Sequence, residues 1–418
     1  MPPDLLFSSM GKELISKGAI VIIAACAIFN LSAQQPINKN SANSLDVYTN
    51  LNQLLERELE KLIKPSPWQA SATITSAAGY RDNITLSHYQ IENSPFIENS
   101  LELSLYRVAV NSPQLVFYAT GDDLRYLKQT SVDKEQTFFG MAQIKQKYST
   151  GLQPGLTAQY IYQDRVIDLS GDPLTISSLH VVGHTFITKP SLRYDFSYTD
   201  GRNQKRWLWA EMEFPISRQD YDSPLDDYWE FGPKLTFGLN YKPKPKQKSY
   251  SDVSLSLEYT KRAYDNMMET DYSGARLPGT HLEYNQFKLY LSWHHYLDEK
   301  CYWRLYSKFG YLRNMDSGVG YYDYDRYTLS EQLRYRDKYW EARIELKVSL
   351  YDYDKQPVSY TSGSLRRISN TTLNLHIERQ IIKKVKVFSE FEHENNNSTL
   401  TAEAYQVNTI NGGLMIEF

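Results

Sequence analysis

Charged side chains recur at every second position along many stretches of this chain, and that spacing is its most chemically suggestive feature. From Trp340 to Tyr351, the residues Glu341, Arg343, Glu345 and Lys347 alternate with Ala342, Ile344, Leu346 and Val348. A period of two places the sets on opposite faces of a strand. The charged face can hold water, ions or polar solutes in an electric field, but it cannot pack as a dry core, because unpaired buried charge is costly. The same alternation carries Lys189, Arg193, Lys234, Arg262, Lys288, Arg304, Lys308, Arg334 and Arg336 against Asp195, Glu230, Glu258, Glu378, Glu390 and Glu392.

Other reactive groups point to weaker chemistry. His294 and His295 are adjacent, so on a strand they face opposite sides and cannot form a metal pair; His294 is expected on the charged face. Ser, His and acidic residues all occur, but no local signature marks a hydrolase, and the expectation is no enzyme, no cofactor and no metal. Two stretches, Ser217 to Glu230 and Asn314 to Arg326, are rich in Asp and Tyr and could bind cations or sugars, although neither matches an EF-hand loop. The cationic run Lys242 to Lys248 reads as a stiff solvated turn. A net charge of −3 gives no basic field for nucleic acid.

The elements that must position the charges are long strands. Alternation recurs in Val253-Leu255-Leu257-Tyr259, Phe287-Leu289-Leu291-Trp293, Trp303-Leu305-Ser307-Phe309, Leu373-Leu375-Ile377 and Val385-Val387-Ser389-Phe391. Such strands, about 10 to 15 residues each, exceed the usual soluble length and suit a tilted membrane crossing. Beyond the N-terminus no apolar run reaches the roughly 18 residues of a spanning helix. Tyr is over-used, with 34 copies, as expected where rings sit between hydrocarbon and headgroups. Tyr241, Tyr250, Tyr296, Tyr302, Trp303, Tyr335, Tyr339 and Trp340 flank short turns and predict such a girdle.

Connections alternate in length. Short turns fall near residues 379–384, 337–338, 297–301, 241–249, 199–205, 149–154 and 111–114. Long connections fall near 393–403, 354–364, 314–326, 264–281, 217–227, 166–180, 121–135 and 81–97. That count implies an all-β, antiparallel, up-and-down transmembrane β-barrel over residues 68–418 with sixteen strands, fourteen being the alternative because the strands before Gly183 are indistinct. A tight hairpin with Asp337 and Lys338 at its tip sets Arg334 opposite Glu341, Gln332 opposite Arg343, Leu333 opposite Ala342 and Leu329 opposite Leu346. It also sets Glu331 outward, opposite Ile344, where a carboxylate against lipid would be costly.

Residues 1–33 read as a secretory signal, with Lys12 and Lys17 before an apolar run and small residues at Ser32 and Ala33. The alternative is a lipobox at Ile23-Ala24-Ala25-Cys26 with a lipidated Cys26. Residues 34–67 form a linker with a short amphipathic helix from Ser44 to Lys64, stopped by Pro65 and Pro67. Cleavage after Ala33 leaves Cys301 as the mature chain's one thiol, with no internal disulfide.

The last strand begins at Tyr405 and ends in Gly-Gly-Leu-Met-Ile-Glu-Phe, with Ile410, Leu414, Ile416 and Phe418 on one parity. It resembles the C-terminal insertion signal of Gram-negative outer-membrane β-barrel proteins. The resemblance implies recognition by the barrel-assembly machinery and contact with outer-membrane lipid, and the even strand number leaves both termini in the periplasm. The expected function is a porin-like channel for small hydrophilic solutes. Its pore-lining candidates are Arg193, Lys234, Glu258, Lys288, Arg304, Lys308, Arg334, Arg336, Glu341, Arg343, Glu345, Lys347 and Glu390. The alternatives are an export or surface-assembly barrel, whose N-terminal helix plugs the pore or docks a periplasmic partner, and a receptor or adhesin working through its loops.

Overall fold

The structure is a computed structural model that describes residues 68–107, 113–128, 130–168, 178–199, 205–242, 249–359 and 362–418. The proposed signal, the linker helix and most of the Lys242 to Lys248 turn therefore lie outside the described residues. Eighteen segments make one antiparallel sheet: β1 (Trp68–Arg81), β2 (Ser94–Arg107), β3 (Gln114–Tyr126), β4 (Lys134–Lys145), β5 (Leu152–Asp168), β6 (Ser178–Thr199), β7 (Lys205–Glu213), β8 (Ile216–Tyr221), β9 (Tyr228–Phe231), β10 (Lys234–Tyr241), β11 (Ser251–Tyr264), β12 (Glu283–Tyr296), β13 (Trp303–Asp316), β14 (Tyr324–Arg336), β15 (Trp340–Ser359), β16 (Ser362–Ile382), β17 (Val385–Ser398) and β18 (Tyr405–Glu417).

Two wall strands are each split by a proline. β7 and β8 both pair with β6 and are parted at Phe214-Pro215; β9 and β10 both pair with β11 and are parted at Gly232-Pro233. Proline has no N–H to give to a ladder, so the pairing must lapse there. Gly232 is needed at the break, since a Cβ would lie 2.0 Å from the Tyr259 carbonyl oxygen. Counting each split pair once gives sixteen wall strands. The first and last close on each other, with Thr73 opposite Glu417 and Arg81 opposite Thr409.

Side-chain parity separates two surfaces. Leu255, Leu291, Phe309, Leu329 and Val348 form one continuous cross-strand row, and its leucines and Phe309 are exposed at between 38% and 46%. A closed sheet with an apolar outer face and a charged inner face is stable only with hydrocarbon outside and water within. Trp303 packs on Tyr335 with ring centroids 4.9 Å apart, and the Trp293 indole donates to the Tyr241 hydroxyl at 2.7 Å. These rings gather at the short-turn end, as an interfacial girdle should.

The hairpin register differs from the sequence expectation by two residues. Arg336 pairs with Glu341, Gln332 with Glu345, Leu333 with Ile344 and Leu329 with Val348. The tip takes four residues because Asp337 builds it: its Oδ1 accepts the Tyr339 and Trp340 amides, both at 2.7 Å, and its Oδ2 accepts the Tyr335 hydroxyl at 2.7 Å. A shift of two preserves every side chain's face. Glu331 does point outward, opposite Leu346, and Ser307 donates to its Oε2 at 2.6 Å.

The strands also run further past the long-connection end than alternation indicated. β15 and β16 leave only residues 360–361 between them, and β17 continues to Ser398. Above the hydrocarbon the outward residues turn polar, as in Asp352 opposite Arg367 and Thr371 opposite Asn395. The apolar alternation ends there while the ladder continues.

Candidate functional site in the lumen

Each inward position is set by the pleat. In β11 to β15, Glu258, Lys288, Arg304, Lys308, Arg334, Glu341, Arg343, Glu345 and Lys347 share the inward parity, as do Arg193 on β6, Lys234 on β10 and Glu390 on β17. Arg336 shares the parity but stands at the short-turn rim, where its side chain is 62% exposed.

Most of these charges are matched by near neighbours. Lys234 meets Glu213 at 2.6 Å, Lys288 meets Glu258 at 2.8 Å, Arg262 meets Glu230 at 2.8 Å and Arg193 meets Asp195 at 2.7 Å. Arg334 reaches Glu341 diagonally at 2.5 Å, so the ion pair expected from the sequence survives the change of register. Arg343 approaches Glu390 at 3.7 Å and Gln332 donates to Glu345 at 3.0 Å. Among the described residues, Arg304, Lys308, Arg326 and Lys347 have no carboxylate within ion-pair distance. Lys308 instead lies 4.5 Å from the Tyr290 ring centroid and Arg326 5.6 Å from that of Tyr351.

Opposite this basic wall stands an acidic one that the sequence reading largely missed. Glu98 and Glu102 on β2, Asp122 on β3 and Glu135 on β4 face inward together with Glu390, Glu392 and Glu394 on β17. Arg81 tempers it, bonding Glu135 at 3.1 Å and the Tyr126 hydroxyl at 2.8 Å. In the sheet order the acidic strands centre on β1 and β2 and the basic ones on β13 and β14, six of the sixteen wall strands away. Arg326 was missed because it was placed in a loop; its even spacing from Arg334 was the available signal.

At the long-connection end stand three apolar clusters. Ile84, Phe96, Leu124, Tyr126, Val132 and Val166 form one, Tyr264, Leu282, Tyr284 and Tyr322 a second, and Leu312, Tyr324, Tyr353 and Ile368 a third. The Asp-rich stretches fasten these loops to the wall. Arg218 holds Asp220 at 2.6 Å, Asp265 at 2.7 Å and Asp227 at 3.3 Å; Arg313 holds Asp354 at 2.5 Å and Asp325 at 3.3 Å. Asp316 accepts the amides of Gly320 and Tyr322. Below the clusters lie open cavities of about 310, 230 and 190 Å³.

His294 faces the lumen, 3.1 Å from Asp252, whereas His295 faces outward beside Tyr241. In β18, Ile410, Leu414 and Ile416 point outward with Phe418 at the end of the same parity. Tyr405 stands on the other face, its hydroxyl bonded to Glu394 at 2.8 Å and Asp168 at 3.2 Å.

Solved structures with similar architecture include OccAB3 of Acinetobacter baumannii, at 9% identity over 84% of this chain and 99% of that one with a TM-score of 0.43. OpdK of Pseudomonas aeruginosa, solved with vanillate, is 9% identical over 83% and 99% at 0.41. In-vitro folded OmpT of Vibrio cholerae, an outer membrane protein, is 7% identical over 85% and 99% at 0.41. No family model and no curated protein matches the chain. The scores are low, and the chain's own strand pairing defines the class: a sixteen-stranded transmembrane β-barrel with a charged lumen.

Proposed function

We propose that the protein is a porin-like channel in the outer membrane of a Gram-negative bacterium, passing small hydrophilic solutes through its lumen. The observation that carries this reading is the pair of opposed walls, basic on β12 to β15 and acidic on β17 and β2 to β4, around polar cavities. Such walls set a transverse field on whatever crosses. Outer-membrane lipid would cover the apolar face, and the β18 terminus would serve insertion by the assembly machinery.

Planar-bilayer recording of the folded protein tests the reading. Discrete conductance steps are expected, and a correctly folded barrel that never conducts would sink it. In a salt gradient, Arg304→Glu with Lys308→Glu should move the reversal potential toward cation preference. Glu98→Gln with Glu102→Gln should move it toward anions, each changing the permeability ratio severalfold.

A further inference from the structure

The cavity of about 310 Å³ sits where the basic wall meets the tyrosine clusters, and its lining is unusual in the lumen. Arg326, Lys347, Ser349, Tyr351, Tyr324 and Tyr284 form its basic side. Elsewhere most lumen cations are cancelled by a neighbouring carboxylate, but Arg326 and Lys347 have none within ion-pair distance among the described residues. They lie on adjacent strands, with Arg326 opposite Tyr351 and Ser330 opposite Lys347. Asp168 lines the far side and is held there by the Tyr405 hydroxyl at 3.2 Å. Asn370 adds an amide to that lining.

Two uncancelled cations that reach into one narrow space from positions four residues apart on adjacent strands form an incomplete electrostatic arrangement, which an anion would complete. Apart from Asp168, Arg262, which is paired with Glu230 at 2.8 Å, and Ile368, the other groups are hydroxyls, amides and ring faces. Hydroxyls and amides bond sugar hydroxyls, and ring faces take their C–H surfaces. Asp168 repels a second negative charge, so an anion must turn its charged end toward β14 and β15. The volume lies at the lower end of ligand pockets and suits a small solute.

We infer that this cavity is a binding station for a hydroxylated organic anion of the sugar-acid or sugar-phosphate type, with its charge on Arg326 and Lys347 and its hydroxyls against Ser349, Asn370 and the tyrosines. The inference rests on the channel reading for its role in transport, although the binding itself does not require conduction.

The test pairs bilayer recording with titration calorimetry on the full-length folded protein, using gluconate, glucose 6-phosphate, neutral glucose and inorganic phosphate. Gluconate or glucose 6-phosphate should bind and interrupt the current, and which of the two binds tighter identifies the charged group. Arg326→Gln and Lys347→Gln should each weaken binding about tenfold, the usual worth of one charge-assisted bond. Arg304→Gln, a lumen cation outside the cavity, should change it less than about twofold. Retained heat-modifiable migration shows that each variant is folded. Equal weakening by all three variants, glucose binding as tightly as gluconate, or phosphate binding as tightly as glucose 6-phosphate would overturn the assignment. Binding without conductance removes the channel reading and leaves the station; conductance without binding does the reverse.

Discussion

The two walls of the barrel solve the same membrane problem with different residues. Around β12 to β15 the outer face is bulky, with Leu291, Phe309, Leu329 and Ile344 exposed to the surroundings. Around β1 to β5 small residues are set among bulky ones such as Ile74, Leu101, Phe117 and Leu156. Register places Ala119 opposite Gly140 and Ala142 opposite Ala158, while Ala72, Ala78 and Gly412 share the outward face nearer the seam. The inner faces differ in sign as well. Closure is made where Ala77 faces Gly413 and Ala78 faces Gly412, so that the backbones approach closely there.

The sharpest way to break this contrast is to add volume at the seam. A Cβ at Gly413 would stand 2.1 Å from the Ser76 carbonyl oxygen, a backbone atom that cannot turn aside. Gly413→Val should destabilise by more than about 3 kcal/mol, seen as loss of the heat-modifiable folded band. At Gly310 on the bulky wall the nearest obstacle is the Tyr290 ring at 3.1 Å, and Gly310→Ala should leave that band in place. Equal tolerance at both sites would remove the distinction.

A smaller effect is expected at Glu331, the carboxylate on the bulky wall's lipid face. Its hydrogen bond from Ser307 offsets only part of the desolvation, so Glu331→Leu should stabilise by about 1 kcal/mol. Denaturant unfolding in lipid vesicles measures this, and destabilisation would show that the pair has a favourable partner in the membrane.

The smallest effect concerns the turn below that wall. The Tyr335 hydroxyl, with the Trp340 and Tyr339 amides, holds the Asp337 carboxyl below the usual carboxylate range. A carboxyl lowered in the folded state stabilises above its unfolded value, near about 4, and that contribution is lost as pH falls through the folded value. Asp337→Ala should therefore unfold more readily than wild type at pH 7, with the gap narrowing in acid. A gap independent of pH would place its origin in turn geometry alone.

The bulky wall was legible in the sequence because Leu, Ile and Phe against Lys, Arg and Glu give alternation its largest amplitude. The middle of β3 to β5 was not: Ala119, Gly140, Ala142 and Ala158 set against Thr, Gln and Met barely alternate in hydropathy, although their ladders are just as regular. For the same reason the acidic lane on β2 to β4 went unread and Arg326 was assigned to a loop. Alternation reports where lipid touches a strand, and strand ends outside the lipid leave no such trace. The hairpin register slipped because Asp337 is a turn former as well as a turn occupant, and its side-chain bonds lengthen the tip by two residues without disturbing either face.

Those strand extensions also have a mechanical meaning. Because β15 and β16 pair as far as Ser359 and Ser362, Arg218 on β8 holds the loop carboxylates Asp227 and Asp265, and Arg313 on β13 bonds Asp354 on β15, the mouth is a collar continuous with the sheet. A collar of this kind fixes the aperture by bonded geometry. A solute too wide for the resting opening gains little by waiting, so entry would be decided by fit and charge on arrival and not by the rate at which a lid swings.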